Sequence, residues 1–190
     1  VDIQDFMIMC PGATSFAEAL DWTAEVYIAA GALMKERGIL QGVADEGGYW
    51  PAFGSNEEVL ETLVTAIERA GFKAGEQIGI SLDIAASEFG KDGIYTLALG
   101  GKKYDTDEWI AILGQWLSDY PILSVEDPLG EDDTKGFQIF TRLYGANCQI
   151  IGDDYLVTNA ARVTRAAVEK ALTAVLIKPN QAGTITETRK

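Results

Sequence analysis

Basic residues are scarce in this chain: 15 lysines and arginines stand against 29 acids in 190 residues, a formal charge of −14. Proteins that hold a phosphate backbone carry basic patches, so nucleic acid is discounted as a partner. The surplus acid is read as solubility, with some capacity to concentrate divalent cations. Cysteine is equally thin. Cys10 and Cys148 lie far apart and form no CxxC pair, which argues against structural zinc and a disulfide framework and leaves two reduced, partly buried thiols. No apolar run approaches a bilayer span, and the amino terminus has neither the basic flank nor the apolar stretch of a signal peptide. A cytoplasmic location without a membrane span is expected.

What is present is a repeated pattern. Apolar residues make up 47% of the chain, enough for one domain with a sizeable core. Three short apolar runs end in a carboxylate, Ile78 to Asp83, Ile122 to Glu126 and Ile150 to Asp153, and a fourth, Ala174 to Lys178, ends in a lysine. Continuous apolar runs of this length between helical stretches read as buried parallel strands. The helices between them are marked by caps and periodicity. Ser15 to Arg37 repeats apolar residues at helical spacing, Ser55-Asn-Glu-Glu58 has the form of a capping box, and Asp105 and Glu108 open a helix that stops before Pro121. Ile94 to Leu99 is expected to turn at Gly100-Gly101 into Lys102 to Tyr104 as a hairpin. Asn159 caps a further helix ahead of the Lys178 strand.

The intervals from Glu126 to Asp153 and from Asp153 to Lys178 each fit one strand–helix repeat, and the longer interval from Asp83 to Glu126 contains the hairpin. Right-handed crossovers make successive strands neighbours, so the four ionisable ends fall along one rim. That rim is where α/β barrels carry their chemistry. Asp83, Glu126 and Asp153 offer hard oxygen ligands suited to Mg²⁺, with Mn²⁺ as a substitute. Lys178 is either paired to a neighbouring acid or lowered in pKa as a general base, and its place beside the acids favours the base. The loop Ala44 to Pro51 contains Asp45-Glu-Gly-Gly, and paired glycines let backbone approach a ligand; Glu46 is a candidate acid. The start, Val1 to Met9, reads as a strand already under way, and Thr184 to Lys190 as a helix that stops early. Five or six strands are expected, fewer than the eight of a closed barrel.

Several segments are familiar together. Gln4-Asp-Phe-Met-Ile, Asp45-Glu-Gly-Gly, Ser81-Leu-Asp-Ile-Ala-Ala-Ser-Glu-Phe, Ser124-Val-Glu-Asp-Pro, Gly152-Asp-Asp-Tyr-Leu-Val-Thr-Asn and Leu176-Ile-Lys-Pro-Asn-Gln-Ala-Gly-Thr closely resemble enolase, the phosphopyruvate hydratase of glycolysis, in order along the chain. The resemblance implies an α/β fold, a partial TIM-type barrel from the centre of the enolase C-terminal domain, whose irregular start includes an antiparallel strand. It implies that residues 1–190 form a single domain without the N-terminal capping domain or the last barrel strands. It further implies that Asp83, Glu126 and Asp153 hold Mg²⁺, that Lys178 removes the C2 proton of 2-phosphoglycerate, and that Glu46 helps the C3 hydroxyl leave to give phosphoenolpyruvate. Gln4 and Asp5 would bind substrate beside them. A Lys base with Mg²⁺ is general to the enolase superfamily; the substrate comes only from the resemblance, as does the expectation of a homo-oligomer.

Three departures stand out. Asp5 occupies a position where enolases usually have glutamate, and its carboxylate reaches about 1.5 Å less far, enough to weaken a tuned contact. Pro179 follows the lysine and removes a backbone donor. The chain has no histidine, and it lacks the family's Arg-Ser phosphate grip and second active-site lysine. Two alternatives therefore stand beside enolase: another acid dehydratase of the superfamily, and a non-catalytic homologue kept for binding or structure.

Overall fold

The computed structural model describes residues 1–190. It begins β1 (Asp5–Met9), α1 (Phe16–Glu36), β2 (Leu40–Val43), β3 (Tyr49–Pro51), α2 (Asn56–Arg69) and β4 (Gly79–Asp83). After a 3-10 turn (Ala86–Glu88) come β5 (Gly90–Lys91), β6 (Ile94–Thr96), β7 (Lys103–Asp105), α3 (Thr106–Asp119) and β8 (Ile122–Glu126). The chain continues through α4 (Thr134–Tyr144), β9 (Gln149–Gly152), α5 (Ala160–Glu169), β10 (Ala174–Val175), α6 (Pro179–Ala182) and α7 (Ile185–Thr188).

The main sheet has the order β1-β4-β8-β9-β10. β4, β8, β9 and β10 pair in parallel, and β1 runs antiparallel to β4. Sequential parallel strands thus lie side by side, as short crossovers require, and the sheet stays open with β1 and β10 at its edges. The antiparallel start has a functional result. Because β1 runs backwards, its first residue Asp5 pairs with Asp83, the last residue of β4.

Alternation sorts the sheet's two faces. Ile80, Leu82, Val125 and Ile150 pack with Trp109, Leu113, Phe137 and Phe140 of α3 and α4 in a cluster of 23 buried residues. Burying each such side chain contributes about 1.5–3 kcal/mol, which makes this layer the main stabilising element. The other face carries Ser81 and Ser124, whose hydroxyls lie 2.6 Å apart across neighbouring strands, and it ends in Asp83 and Glu126, themselves paired in register. A smaller cluster of Val26, Ala66, Ile67 and Ile78 seats α1 and α2. No helix is long and apolar enough to cross a membrane. Cys10 and Cys148 are free.

Several expectations need correction. The Ser55 hydroxyl accepts the Glu58 N–H as foreseen, but the Glu58 carboxylate accepts from Gly54 N instead of closing the box on Ser55. Asp105 and Glu108 do form a complete box. The final strand stops at Val175, three residues short of Lys178, because Pro179 opens α6 at its first position. The Asp45-Glu-Gly-Gly loop proves to be the turn of a hairpin, β2–β3, whose strands were not foreseen.

Candidate active site

Each acid arrives at the rim by the strand that precedes it. Asp83 and Glu126 close β4 and β8, and Asp153 follows β9 directly. All three are at most 9% exposed. Their separation in sequence disappears through strand register: Glu126 pairs with Asp83 on one side and with Ile151 on the other, two residues before Asp153.

The carboxylates are not equivalent. Glu126, Asp127 and Asp153 each place an oxygen within 4.8 Å of the others, so the tight group contains Asp127 where the sequence suggested Asp83. Asp83 is instead held at its flank: Oδ1 accepts from Ala85 N at 3.0 Å and Oδ2 from Gln4 Nε2 at 3.1 Å. Asp153 is engaged at both oxygens, by Gln181 Nε2 at 2.8 Å and by the Lys178 ammonium. Glu126 accepts no side-chain hydrogen bond, and burial with neighbouring negative charge outweighs the nearby Lys178 ammonium.

This crowding governs protonation. Burial, with the charges of Asp83, Asp153 and Asp127, pushes Glu126 up to about 8. Burial raises Asp127 to about 7 although two backbone N–H groups oppose it. Asp83 rises to about 6, again chiefly by burial, with Asp5 and Asp153 adding to it and Ala85 N–H opposing it. Lys178 moves up as well, because its hydrogen bond to Asp153 and the nearby acids favour the ammonium more than desolvation opposes it. The expected lowering of the lysine's pKa is therefore not what this arrangement produces: without a cation, Lys178 is an ion-pair partner that keeps its proton.

A divalent cation fits this group of residues. The donors are hard carboxylate oxygens, they are buried, and their charge exceeds the single ammonium beside them, so a bound cation relieves repulsion that otherwise has to be met by protonation. Glu126 and Asp153 are the shared candidates to hold it, with Asp127 completing the tight group and Asp83 at its flank as the alternatives for a third carboxylate.

The remaining predicted residues divide. Gln4 and Asp5 reach the rim through the antiparallel β1, Gln4 by its hydrogen bond to Asp83 and Asp5 by pairing with it. Glu46 makes no hydrogen bond or ion pair with them. It is exposed in the β2–β3 turn, which is anchored to α1 by the Tyr27 hydroxyl on Gly47 O at 2.7 Å and by stacking of Tyr27 on Tyr49 at 4.2 Å. Three contributors were missed. Asp127 accepts the N–H groups of Asp153 and Asp154. Thr158 receives the Lys178 N–H at 2.9 Å and donates to Gln181 Oε1 at 2.8 Å. Nothing in the local pattern distinguishes these polar residues from turn residues, since their role depends on two loops meeting.

Comparison with known proteins agrees with this architecture. The model of the family described as "Enolase, C-terminal TIM barrel domain" matches residues 1–190. Enolase 1 of Methanospirillum hungatei (strain JF-1) is 46% identical over 187 residues, covering 98% of this chain and 44% of that protein. Enolase 2 of Pseudomonas syringae pv. syringae (strain B728a) is 45% identical over 188 residues, covering 99% of this chain and 44% of that protein. The chain thus spans less than half the length of these curated relatives. With a family match over its whole length and an α/β sheet whose rim gathers the acids and the lysine, the chain belongs to the enolase C-terminal TIM barrel domain family.

Proposed function

We propose that the complete protein is an enolase, a hydro-lyase that reversibly converts 2-phosphoglycerate to phosphoenolpyruvate with Mg²⁺, serving glycolysis as a cytoplasmic homo-oligomer, and that residues 1–190 are part of its catalytic barrel. The observation that carries the reading is the contact between Lys178 and Asp153 at the end of a row of buried carboxylates. It sets a candidate base beside candidate metal ligands.

A proton next to a carboxylate is very weakly acidic, and the cation supplies charge that stabilises the negative charge developing on the carboxylate oxygens. Lys178 takes the C2 proton on Nζ. The same acids that raise its pKa keep it charged in the metal-free protein, so the base becomes available only when their charge is compensated. Gln181 and Thr158 keep Asp153 and the Lys178 backbone in place while the ammonium changes state. Gln4 and Asp5 orient substrate at the rim. Glu46 protonates the departing C3 hydroxyl, which requires the hairpin turn to come over the rim. A homologue kept for binding is the second reading, favoured by the exposure of Glu46 and the charged state of Lys178.

The test is turnover of 2-phosphoglycerate by the complete protein with and without Mg²⁺, for the wild type and for Asp5→Glu. Metal-dependent formation of phosphoenolpyruvate, faster in Asp5→Glu, is expected. No turnover by either form would exclude the enzyme and leave the binding homologue.

A further inference from the structure

Asp127 has the wrong backbone for a strand residue, and its two carboxylate oxygens hold backbone N–H groups of another loop. Its φ is +39°, in the left-handed region that L-residues other than Asn and Asp seldom enter. It is 3% exposed. Both carboxylate oxygens are already engaged: Oδ1 accepts from Asp153 N at 3.1 Å and Oδ2 from Asp154 N at 2.6 Å. Its own N–H donates to Ile151 O at 3.0 Å, and its carbonyl accepts from Ala86 N at 3.1 Å. One residue therefore ties together the loops that follow β4, β8 and β9.

We infer that Asp127 is a positioning residue for the proposed metal site, fixing the backbone of Asp153 so that its carboxylate faces Glu126 and Lys178. The inference rests on the functional reading above, with Asp153 as a ligand. Two alternatives are weaker on geometry. As a fourth ligand alone, Asp127 would leave its bonds to the two backbone N–H groups unexplained. As a turn filler, it would need only a residue tolerant of positive φ, and glycine would serve better. Residues that orient a metal ligand through hydrogen bonds typically control affinity by about 10–100-fold.

Two variants of the complete protein separate these roles. Asp127→Asn retains size and tolerance of positive φ but sets an NH₂ against one of the two N–H donors, and Asp127→Gly relaxes the backbone but removes both acceptors. Calorimetric titration with Mg²⁺ alone should give binding weakened about 10-fold in Asp127→Asn and further in Asp127→Gly. Melting temperatures without metal check that both variants remain folded. Wild-type binding of Mg²⁺ with equal affinity in the two folded variants would overturn the inference and leave the functional reading intact. Failure of the wild type to bind Mg²⁺ would overturn both. Amide exchange in the metal-free wild type is a second measure that does not depend on the variants folding. Protected Asp153 and Asp154 amides are expected, and exchange at the rate of open loop amides would refute the clamp.

Discussion

Glu126 is the residue at which stability and function pull hardest in opposite directions. It is 9% exposed, faces other acids and accepts no side-chain hydrogen bond. In the metal-free protein burial, with mutual repulsion, pushes Glu126, Asp127 and Asp83 up to about 8, 7 and 6, all above ordinary carboxylate values. The native state therefore holds more protons than the unfolded chain between about pH 4 and 8, and stability falls as pH rises through that window. Lys178 also has a raised pKa, but the stability it contributes is fully present below the ordinary lysine value and is lost only above it. Thermal melts of metal-free protein should accordingly drop between pH 5 and pH 8. Glu126→Gln should melt higher than the wild type at pH 8 and nearly level with it at pH 5, and it should not share the stabilisation by Mg²⁺ expected of the wild type. A variant that lowers the melting temperature at pH 8, or one that still gains from Mg²⁺, would contradict this assignment.

At the scale of elements, the β2–β3 hairpin decides where Glu46 sits, and it was the least legible part of the chain. Leu40-Gln-Gly-Val and Tyr49-Trp-Pro contain glycine and proline and no clean alternation, and the pairing carries a register shift between Leu40 and Gly42. What holds the hairpin is tertiary: Tyr49 packs over α1 at Gly31, where an added Cβ would lie 2.2 Å from the tyrosine hydroxyl. An alanine for glycine inside a helix normally stabilises by about 1 kcal/mol. At Gly31 it must displace the Tyr49 ring, and with it the packing that seats the hairpin. If Glu46 is the general acid, Gly31→Ala should lower kcat for 2-phosphoglycerate by 10-fold or more, with Mg²⁺ affinity unchanged; an unaltered kcat would remove Glu46 from the mechanism. By contrast, the β4 and β8 strands were legible because burial makes them largely apolar up to the terminal acid, and the α3 cap because both halves of its box are local. Asp127 and Gln181 were illegible as site residues because their bonds cross from one loop to another. The charge of Lys178 was illegible, since the sequence shows that acids are near it but not that Asp153 grips its ammonium.

For the whole molecule, the decisive feature is the open sheet. Five strands with β1 and β10 unpaired on their outer sides present backbone donors and acceptors to any chain that can add a strand. The 190-residue chain by itself should therefore self-associate as concentration rises and give no useful turnover, checked by light scattering and by assay of phosphoenolpyruvate formation. A monodisperse and active 190-residue chain would refute this. The match of 98–99% of this chain to less than half of each relative makes the complete protein the proper object for every catalytic test.

Proton transfer by Lys178 beside the carboxylate row would show itself as solvent exchange at C2 of 2-phosphoglycerate. In D₂O with Mg²⁺, the complete protein should place deuterium at C2. Lys178→Ala should abolish that exchange while still binding Mg²⁺, and removing the metal should abolish it in the wild type. Exchange that persists in Lys178→Ala, or that never occurs in the wild type, would contradict the account.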